Sequence, residues 1–198
     1  MIKTVIIGLL LVLAGCSTKP VAILDYYLLD NAEPKATHSK QNIPRVTITI
    51  QDIGLADYLT QANLAIQLAS HQLYYSKQHL WAEPLQKGIQ KALLKDLNAA
   101  TSEFAFVNTR SAMAHAPDVT IGIQVDHFVA THESMVVMAG YYWLQPNNDK
   151  QMTKQLTRFH FSKPLEQDGF PHSVSQLRVL ISELSDEILS RVKALDIE

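Results

Sequence analysis

The chain has 198 residues, of which 47% are hydrophobic and 18% charged. This composition is typical of one globular domain with a single apolar core, and it excludes a disordered or repetitive chain. The formal net charge of −2 and the sequence pI of about 6.4 leave no excess of positive charge. We therefore expect no nucleic acid partner, because such binding depends mainly on cationic contacts to phosphates.

The first fifteen residues have the features of a secretion signal. Lys3 supplies a positive charge, and residues 5–13 form an apolar segment that is too short to span a membrane. Residues 1–15 are therefore excluded from the predicted fold. After Pro20, no stretch approaches the roughly 20 consecutive apolar residues that a bilayer span requires.

The chain's only cysteine, Cys16, follows Leu13-Ala14-Gly15. Leu-Ala-Gly-Cys resembles the bacterial lipobox, in which the cysteine sulfur receives a diacylglycerol and the peptide is cut before the cysteine. Residues 16–22 would then form a lipidated tether. More than one acyl chain gives stable anchoring, since each buried CH₂ contributes about 0.8 kcal/mol. The alternatives are an uncleaved signal anchor and an ordinary signal peptide with a cysteine nearby by chance.

Lipidation of Cys16 has consequences for chemistry and for location. Because no thiol would remain, a disulfide framework, a cysteine-ligated zinc site and a cysteine nucleophile are excluded. Ser17 follows the cysteine where aspartate would favour the inner membrane in the sorting convention of bacterial lipoproteins. In a Gram-negative cell this predicts the inner leaflet of the outer membrane, with the domain facing the periplasm.

Residues 23–198 are predicted to form one globular domain in which period-two patterns indicate strands. In residues 45–51, for example, Val46, Ile48 and Ile50 share one face and threonines share the other. A turn is expected at residues 57–60, and another at the "PNND" segment. Strand signals occur at residues 24–29, 45–51, 64–68, 72–76, 103–107, 119–125, 135–144 and 151–162.

Two segments change to a helical period. A helix is predicted over about residues 83–98, with Pro84 in its first turn, and a second helix closes the chain. Ser173, followed three residues later by Gln176, resembles a capping box for that second helix. The resulting fold class is α/β of the α+β type: a two-layer domain with a mainly antiparallel or mixed sheet of about six strands and two amphipathic helices on one face.

Residues that could carry chemistry are scattered along the chain. Asp126-His127 and His132-Glu133 would lie near one turn, and such side chains can hold zinc. The sequence lacks a His-Glu-x-x-His motif, a Gly-x-Ser-x-Gly motif and a glycine-rich phosphate loop. We therefore predict surface or loop histidines rather than a metal site, no cofactor and no enzymatic activity.

Three apolar or aromatic residues are the candidates for contact with a protein partner. Tyr58 and Leu59 lie in the segment "GLADYL", which follows a strand. Trp81 lies in "HLWAEPL", directly before the first predicted helix. The alternative for all three is a place in the core or, for Trp81, packing against the start of the helix.

The same segments carry a family resemblance. The lipobox, "YYLL" at residues 26–29, "ADYL" at residues 56–59 and "WAEPL" at residues 81–85 resemble the ABC-type transport auxiliary lipoproteins. The resemblance covers nearly the whole mature chain, and "WAEPL" is its most specific part. The sequence departs from the family where Leu55-Ala56-Asp57 replace a usual proline, where Thr60-Gln61 replace a usual arginine, and where "YYWL" offers Tyr142 or Trp143 for one expected tryptophan.

The resemblance implies a noncatalytic part in transport. Lipoproteins of this family work beside an ATP-driven inner-membrane complex and an MCE-type protein that bridges the periplasm and conducts lipids or other hydrophobic molecules. Cys16 would be the anchor, an aromatic patch around Tyr58 or an exposed strand edge would contact the partner, and several copies would assemble around it. The alternatives are an outer-membrane lipoprotein that assists lipopolysaccharide assembly or peptidoglycan synthesis, and a lipid-handling hydrolase.

Overall fold

The computed structural model of the protein describes residues 23–30, 44–111, 116–147 and 155–195. The predicted signal peptide, the tether with Cys16 and part of the "PNND" turn lie outside these residues. The described chain forms one 3₁₀ helix, Asp57–Leu59, and the following strands and helices in order: β1 (Asp25–Tyr27), β2 (Val46–Ile50), β3 (Gly54–Leu55), β4 (Asn63–Ala69), β5 (Gln72–Trp81), α1 (Leu85–Ala100), β6 (Phe104–Asn108), β7 (Val119–Thr131), β8 (Met135–Pro146), β9 (Gln155–Pro164) and α2 (Phe170–Lys193).

The longest strand, β7, organises the sheet. Along one edge it pairs antiparallel with β8, which in turn pairs antiparallel with β9. Along its other edge it pairs in parallel with β2, then with β3 and finally with β4. β6 lies beside β2, and β5 and β1 lie beside β4. One strand therefore joins three groups of strands into a single mixed sheet.

Both helices contribute to the core on one face of this sheet. α1 and α2 contact each other, α1 packs on β6, and α2 packs on β7, β8 and β9. The hydroxyl of Tyr142 in β8 donates a hydrogen bond to Oε1 of Glu187 in α2, at 2.9 Å, so Tyr142 faces the helices. The fully buried residues of α1 and α2 recur every three or four positions, as an amphipathic helix requires: Ile89, Ala92, Leu93, Leu97, Leu180, Ile181, Leu184, Ile188 and Val192.

The predicted class, α+β with a mixed sheet and two helices, is confirmed, but the described residues already form a sheet of nine strands rather than about six. One reason is that β3 has two residues, too few to show an alternating pattern. The strands are also longer than expected, since β5 continues to Trp81 and β7 continues to Thr131. Asp126 and His127 therefore lie inside β7 and not at the turn that contains His132.

The predicted capping box of the second helix is wrong. The helix begins at Phe170, after Gly169, and Ser173 already lies inside it, where its Oγ donates to the Gly169 carbonyl oxygen at 3.1 Å. Gly169 has a φ of +106°, a conformation that side chains other than glycine's strongly disfavour. Pro171 then suits the first turn because its φ is fixed near helical values. Backbone geometry, rather than a side-chain cap, thus starts the helix.

Candidate docking site

Tyr58 lies in the 3₁₀ helix between β3 and β4, where hydrogen bonds fix it against two strands. Its hydroxyl donates to the carbonyl oxygen of Asp126 at 3.0 Å, and His127 Nδ1 lies 3.2 Å from the same hydroxyl. Asp126 is the bulge residue of β7, where the register with β8 shifts. From β5, the Tyr75 hydroxyl donates to the carbonyl oxygen of Tyr58 at 3.1 Å. These bonds tie the 3₁₀ helix to both β5 and β7.

The surroundings of Tyr58 keep its hydroxyl protonated. Burial raises the pKa of Tyr58 to about 12 from its usual 10. A hydrogen bond with the backbone of Phe128 lowers the pKa, whereas the nearby Tyr75 and Asp126 raise it. At neutral pH the side chain therefore acts as a hydrogen-bond donor and as an aromatic surface, not as a charge.

The two other predicted contact residues are buried. Leu59 is 4% exposed and Trp81 is 8% exposed. Trp81 lies opposite Tyr27 in the β1–β5 pair, and its ring centroid lies 6.2 Å from that of Phe128 in β7. Both residues thus occupy the core, as the alternative interpretation of the sequence has it. Their direct contact with a partner stays a prediction.

The hairpin of β4 and β5 exposes a group of apolar side chains that sequence reasoning missed. We call Leu68, Leu73, Tyr74 and Tyr75 the hairpin surface; each is between 36% and 44% exposed. One sequence signal could have revealed it: successive side chains of a strand point to opposite faces, so Leu73, Tyr74 and Tyr75 cannot all face one core. Leu73 and Tyr75 therefore lie on one face of the hairpin and Tyr74 on the other, and exposed apolar side chains of this kind mark interaction sites.

In the part of the chain that the structure describes, a neighbouring strand covers only part of the outer edge of the same hairpin. β1 pairs with β5 only at His79, Leu80 and Trp81. Within the described residues, no other strand pairs with that edge of β5 at residues 72–75, whereas the backbone groups of Ser76 and Gln78 already bond to side chains. Such an edge can accept an added strand from another chain.

A groove of about 1130 Å³ lies between α1 and α2. In it the guanidinium of Arg178 donates to both carboxylate oxygens of Asp96, at 2.5 and 2.7 Å, and Ser182 Oγ donates to Asp96 at 2.8 Å. Leu28 and Val179 are apolar residues of its lining. Because the charges of Asp96 and Arg178 neutralise each other, the groove offers apolar walls around a paired polar centre.

The described ranges hold neither a metal-binding cluster nor a membrane-spanning helix. There, no group of three or more histidine, cysteine, aspartate or glutamate side chains is placed to hold a metal ion. Of the described helices, none combines the length and apolar character needed to cross a membrane. The absence of a metal, a cofactor and a catalytic activity stays a prediction.

The fold recurs in solved structures. An uncharacterized protein superposes with a TM-score of 0.71 at 18% identity, covering 86% of this chain and 99% of its own. A Xanthomonas campestris protein of the DUF330 family superposes with a TM-score of 0.62 at 11% identity, covering 73% of this chain and 81% of its own. At these identities the likeness defines the class of fold alone. No curated protein sequence gives a significant match.

The family itself is defined by the sequence. Residues 27–189 match the family described as the ABC-type transport auxiliary lipoprotein component. Since the match spans most of the chain, the protein belongs to this family. Membership confirms the resemblance inferred from the motifs, and it supports both attachment to a membrane through lipid and association with an ABC-type transport system.

Proposed function

We propose that this protein is the outer-membrane lipoprotein subunit of an MCE/ABC-type intermembrane lipid transport system. The observation that carries the proposal is the family match over residues 27–189, which begins eleven positions after a lipobox that ends at Cys16. The sequence also resembles PqiC, the lipoprotein of the Pqi intermembrane transport system. In the proposal, acylated Cys16 holds the domain on the inner leaflet of the outer membrane, facing the periplasm.

The domain acts as a receptor in this system. It docks the far end of the MCE-type protein that bridges the periplasm, and it thereby supports membrane integrity. ATP hydrolysis takes place in the inner-membrane ABC components, since this chain has no glycine-rich phosphate-binding motif. Several copies of the lipoprotein assemble around one bridging partner.

The hairpin surface is the docking site that we infer for the MCE-type protein. Its leucines and tyrosines are large and exposed, and tyrosine is enriched at protein interfaces. The Tyr75 hydroxyl is already fixed by the Tyr58 carbonyl, so less side-chain freedom is lost on binding. The edge of β5 at residues 72–75, with which no described strand pairs, adds backbone hydrogen-bonding groups to the same hairpin.

Affinity purification from membranes tests the docking role. The full-length protein is compared with Cys16→Ala, with the double variant Leu73→Ser/Tyr74→Ser, and with Leu156→Ser as a control on the distant strand β9, where Leu156 is 53% exposed. We expect the unaltered protein and the Leu156→Ser control to recover an MCE-type protein with its ABC components. Both other variants should recover several-fold less.

Two results would count against the proposal. Recovery of lipopolysaccharide-assembly or peptidoglycan-synthesis factors without an MCE-type protein would retain the lipoprotein but assign it to another machine. Separation of the two membranes by density, with the protein in the inner-membrane fraction, would overturn the predicted location. Mass spectrometry of the N-terminal peptide checks acylation of Cys16 independently.

A further inference from the structure

The first residues that the structure describes carry an exposed apolar segment. Ile23, Leu24, Tyr26 and Leu28 are 81%, 45%, 61% and 55% exposed, so four of the six residues from 23 to 28 present apolar surface to solvent. We call residues 23–28 the N-terminal segment. Exposure on this scale in so short a stretch calls for a partner that covers it.

The pairing of β1 shows which way this segment faces. β1 pairs in parallel with β5, so Tyr27 lies opposite Trp81 and Tyr26 lies opposite Leu80. Trp81 is buried, and the Tyr27 hydroxyl lies 2.9 Å from His79 Nδ1, so Tyr27 faces the core. Because side chains alternate along a strand, Leu24 and Tyr26 face away from it. The side chains of Leu24 and Tyr26 therefore contribute nothing to the core.

The lipobox limits how far this segment can lie from a membrane. Ile23 follows Cys16 by seven positions, and an extended chain spans at most about 3.6 Å per residue. The Cα atom of Ile23 thus stays within roughly 25 Å of that of Cys16. An acylated Cys16 lies at the lipid–water boundary, so the exposed apolar side chains of the N-terminal segment are held beside the bilayer surface.

The charges of the segment suit the same environment. Its acidic residue Asp25 lies 3.4 Å from His79 Nδ1, and Asp30, just beyond it, lies 2.5 Å from Lys95 Nζ. The Lys95 ammonium offsets the charge of the Asp30 carboxylate, which lowers repulsion from anionic lipid. Tyrosine itself is favoured at the boundary between head groups and acyl chains.

We propose that the N-terminal segment lies in the head-group region of the bilayer that anchors Cys16, with Ile23, Leu24 and Tyr26 in contact with lipid. This inference rests on the lipidation in the proposed function and deepens it, because it fixes the orientation of the domain. β1 contacts the end of β5 at His79, and β5 rises about 3.3 Å per residue. Tyr74, five residues before His79, lies roughly 16 Å away along β5, and because the two strands are parallel, the chain before Asp25 leads towards the hairpin end of β5 and not away from it.

A fluorescent label tests this orientation. Since acylation consumes the only cysteine, Tyr26→Cys introduces a single reactive thiol, and Leu24→Cys provides a second site. Leu156→Cys is the matched control, because Leu156 is 53% exposed and Tyr26 is 61% exposed. The full-length lipidated variants carry an environment-sensitive dye and are reconstituted into phosphatidylethanolamine–phosphatidylglycerol vesicles that contain nitroxide-labelled lipid.

We expect nitroxide lipid to quench the dye at positions 24 and 26 several-fold more strongly than at position 156, with a blue-shifted emission. Equal quenching at positions 26 and 156, or stronger quenching at position 156, would overturn the membrane contact. If the mass of the N-terminal peptide shows no acyl chain on Cys16, the proposed anchor and this inference both fail. If acylation is present and quenching is absent, only this inference fails.

Discussion

The strand pair β7–β8 and the hairpin β4–β5 are both antiparallel and rich in aliphatic and aromatic residues, yet they place those residues differently. In β7–β8, Ile123, Met138 and Tyr142 are 2% exposed or less. In the hairpin, Leu73 and Tyr74 are 38% and 42% exposed. The difference follows from the helices, because α2 packs on β7, β8 and β9.

This contrast separates residues that stabilise the fold from residues that are available for binding. Burial of an apolar side chain contributes about 1.5–3 kcal/mol to folding, whereas an exposed one contributes little. The apolar residues of β7–β8 are thus needed for stability. Those of the hairpin surface are retained at some risk of aggregation, which is consistent with a role in contact with another molecule.

The largest expected effect is a loss of stability from a substitution in the core between α2 and the sheet. Leu184 in α2 is fully buried, so Leu184→Ala removes apolar contacts and leaves a cavity. We expect the free energy of unfolding to fall by about 2–5 kcal/mol, measured by chemical denaturation. Val179→Ala, on the same helix at 38% exposure, is the control and should cost far less. Equal losses in the two variants would contradict the assignment of the core.

A smaller loss of stability is expected from a substitution on the face of β7 and β8 that points away from the helices. A Cβ atom on Gly122 in β7 would overlap the ring of Trp143 in β8, so Gly122→Ala forces that ring to move. We expect a loss of about 1–3 kcal/mol together with a change in tryptophan fluorescence. Gly88→Ala in α1 is the control, because its Cβ meets only ordinary contacts at 3.5 Å or more and alanine favours a helix.

In the same experiment, the ring of Trp143 can be removed together with the glycine. If the clash is the cause, the loss in Gly122→Ala/Trp143→Leu is smaller than the sum of the two single losses. Strict additivity would contradict the close approach of the ring to β7.

Sequence patterns predicted the parts of the molecule in which burial follows from the residues nearby along the chain. The alternation of Val119, Ile121 and Ile123 and the period of α2 each report a buried face, and both elements were found. The position of Asp126 and His127 depended on where β7 ends, which is set by its pairing with β4 and β8 rather than by local pattern. The hairpin surface was missed for a related reason, since exposure depends on how far the helices extend.

Tyr58 is hydrogen-bonded to both β7 and β5, and the titration of its hydroxyl gives a prediction at alkaline pH. Its pKa is raised to about 12 in the folded chain, above the usual 10, so the protonated form stabilises the fold. That contribution is fully present below about pH 10 and is lost as the pH rises from about 10 towards 12. We expect Tyr58→Phe to cost about 1 kcal/mol at pH 7, because the Asp126 carbonyl loses its donor.

Denaturation curves recorded at intervals from pH 8 to pH 11.5 provide the measurement. The unaltered protein should lose stability over the alkaline part of this range more steeply than Tyr58→Phe does. Tyr142 has its pKa raised to about 12 by burial and by Glu187, so Tyr142→Phe is a second variant that should flatten the curve. An unchanged slope in Tyr58→Phe would show that its hydroxyl is not buried as described.

The smallest change in stability is expected on the hairpin surface, where the effect on binding should be largest. Tyr74 is 42% exposed. Tyr74→Ser should change the free energy of unfolding by no more than about 0.5 kcal/mol. Recovery of the MCE-type partner should nevertheless fall several-fold, because large aromatic side chains dominate binding energies. Leu184→Ala should show the opposite pattern, a large loss of stability with normal recovery of the partner by the folded fraction. The reason is that the folded fraction retains the hairpin surface. If Tyr74→Ser recovers the partner as well as the unaltered protein does, the hairpin surface is not the docking site, and the assignment of its residues to binding is wrong.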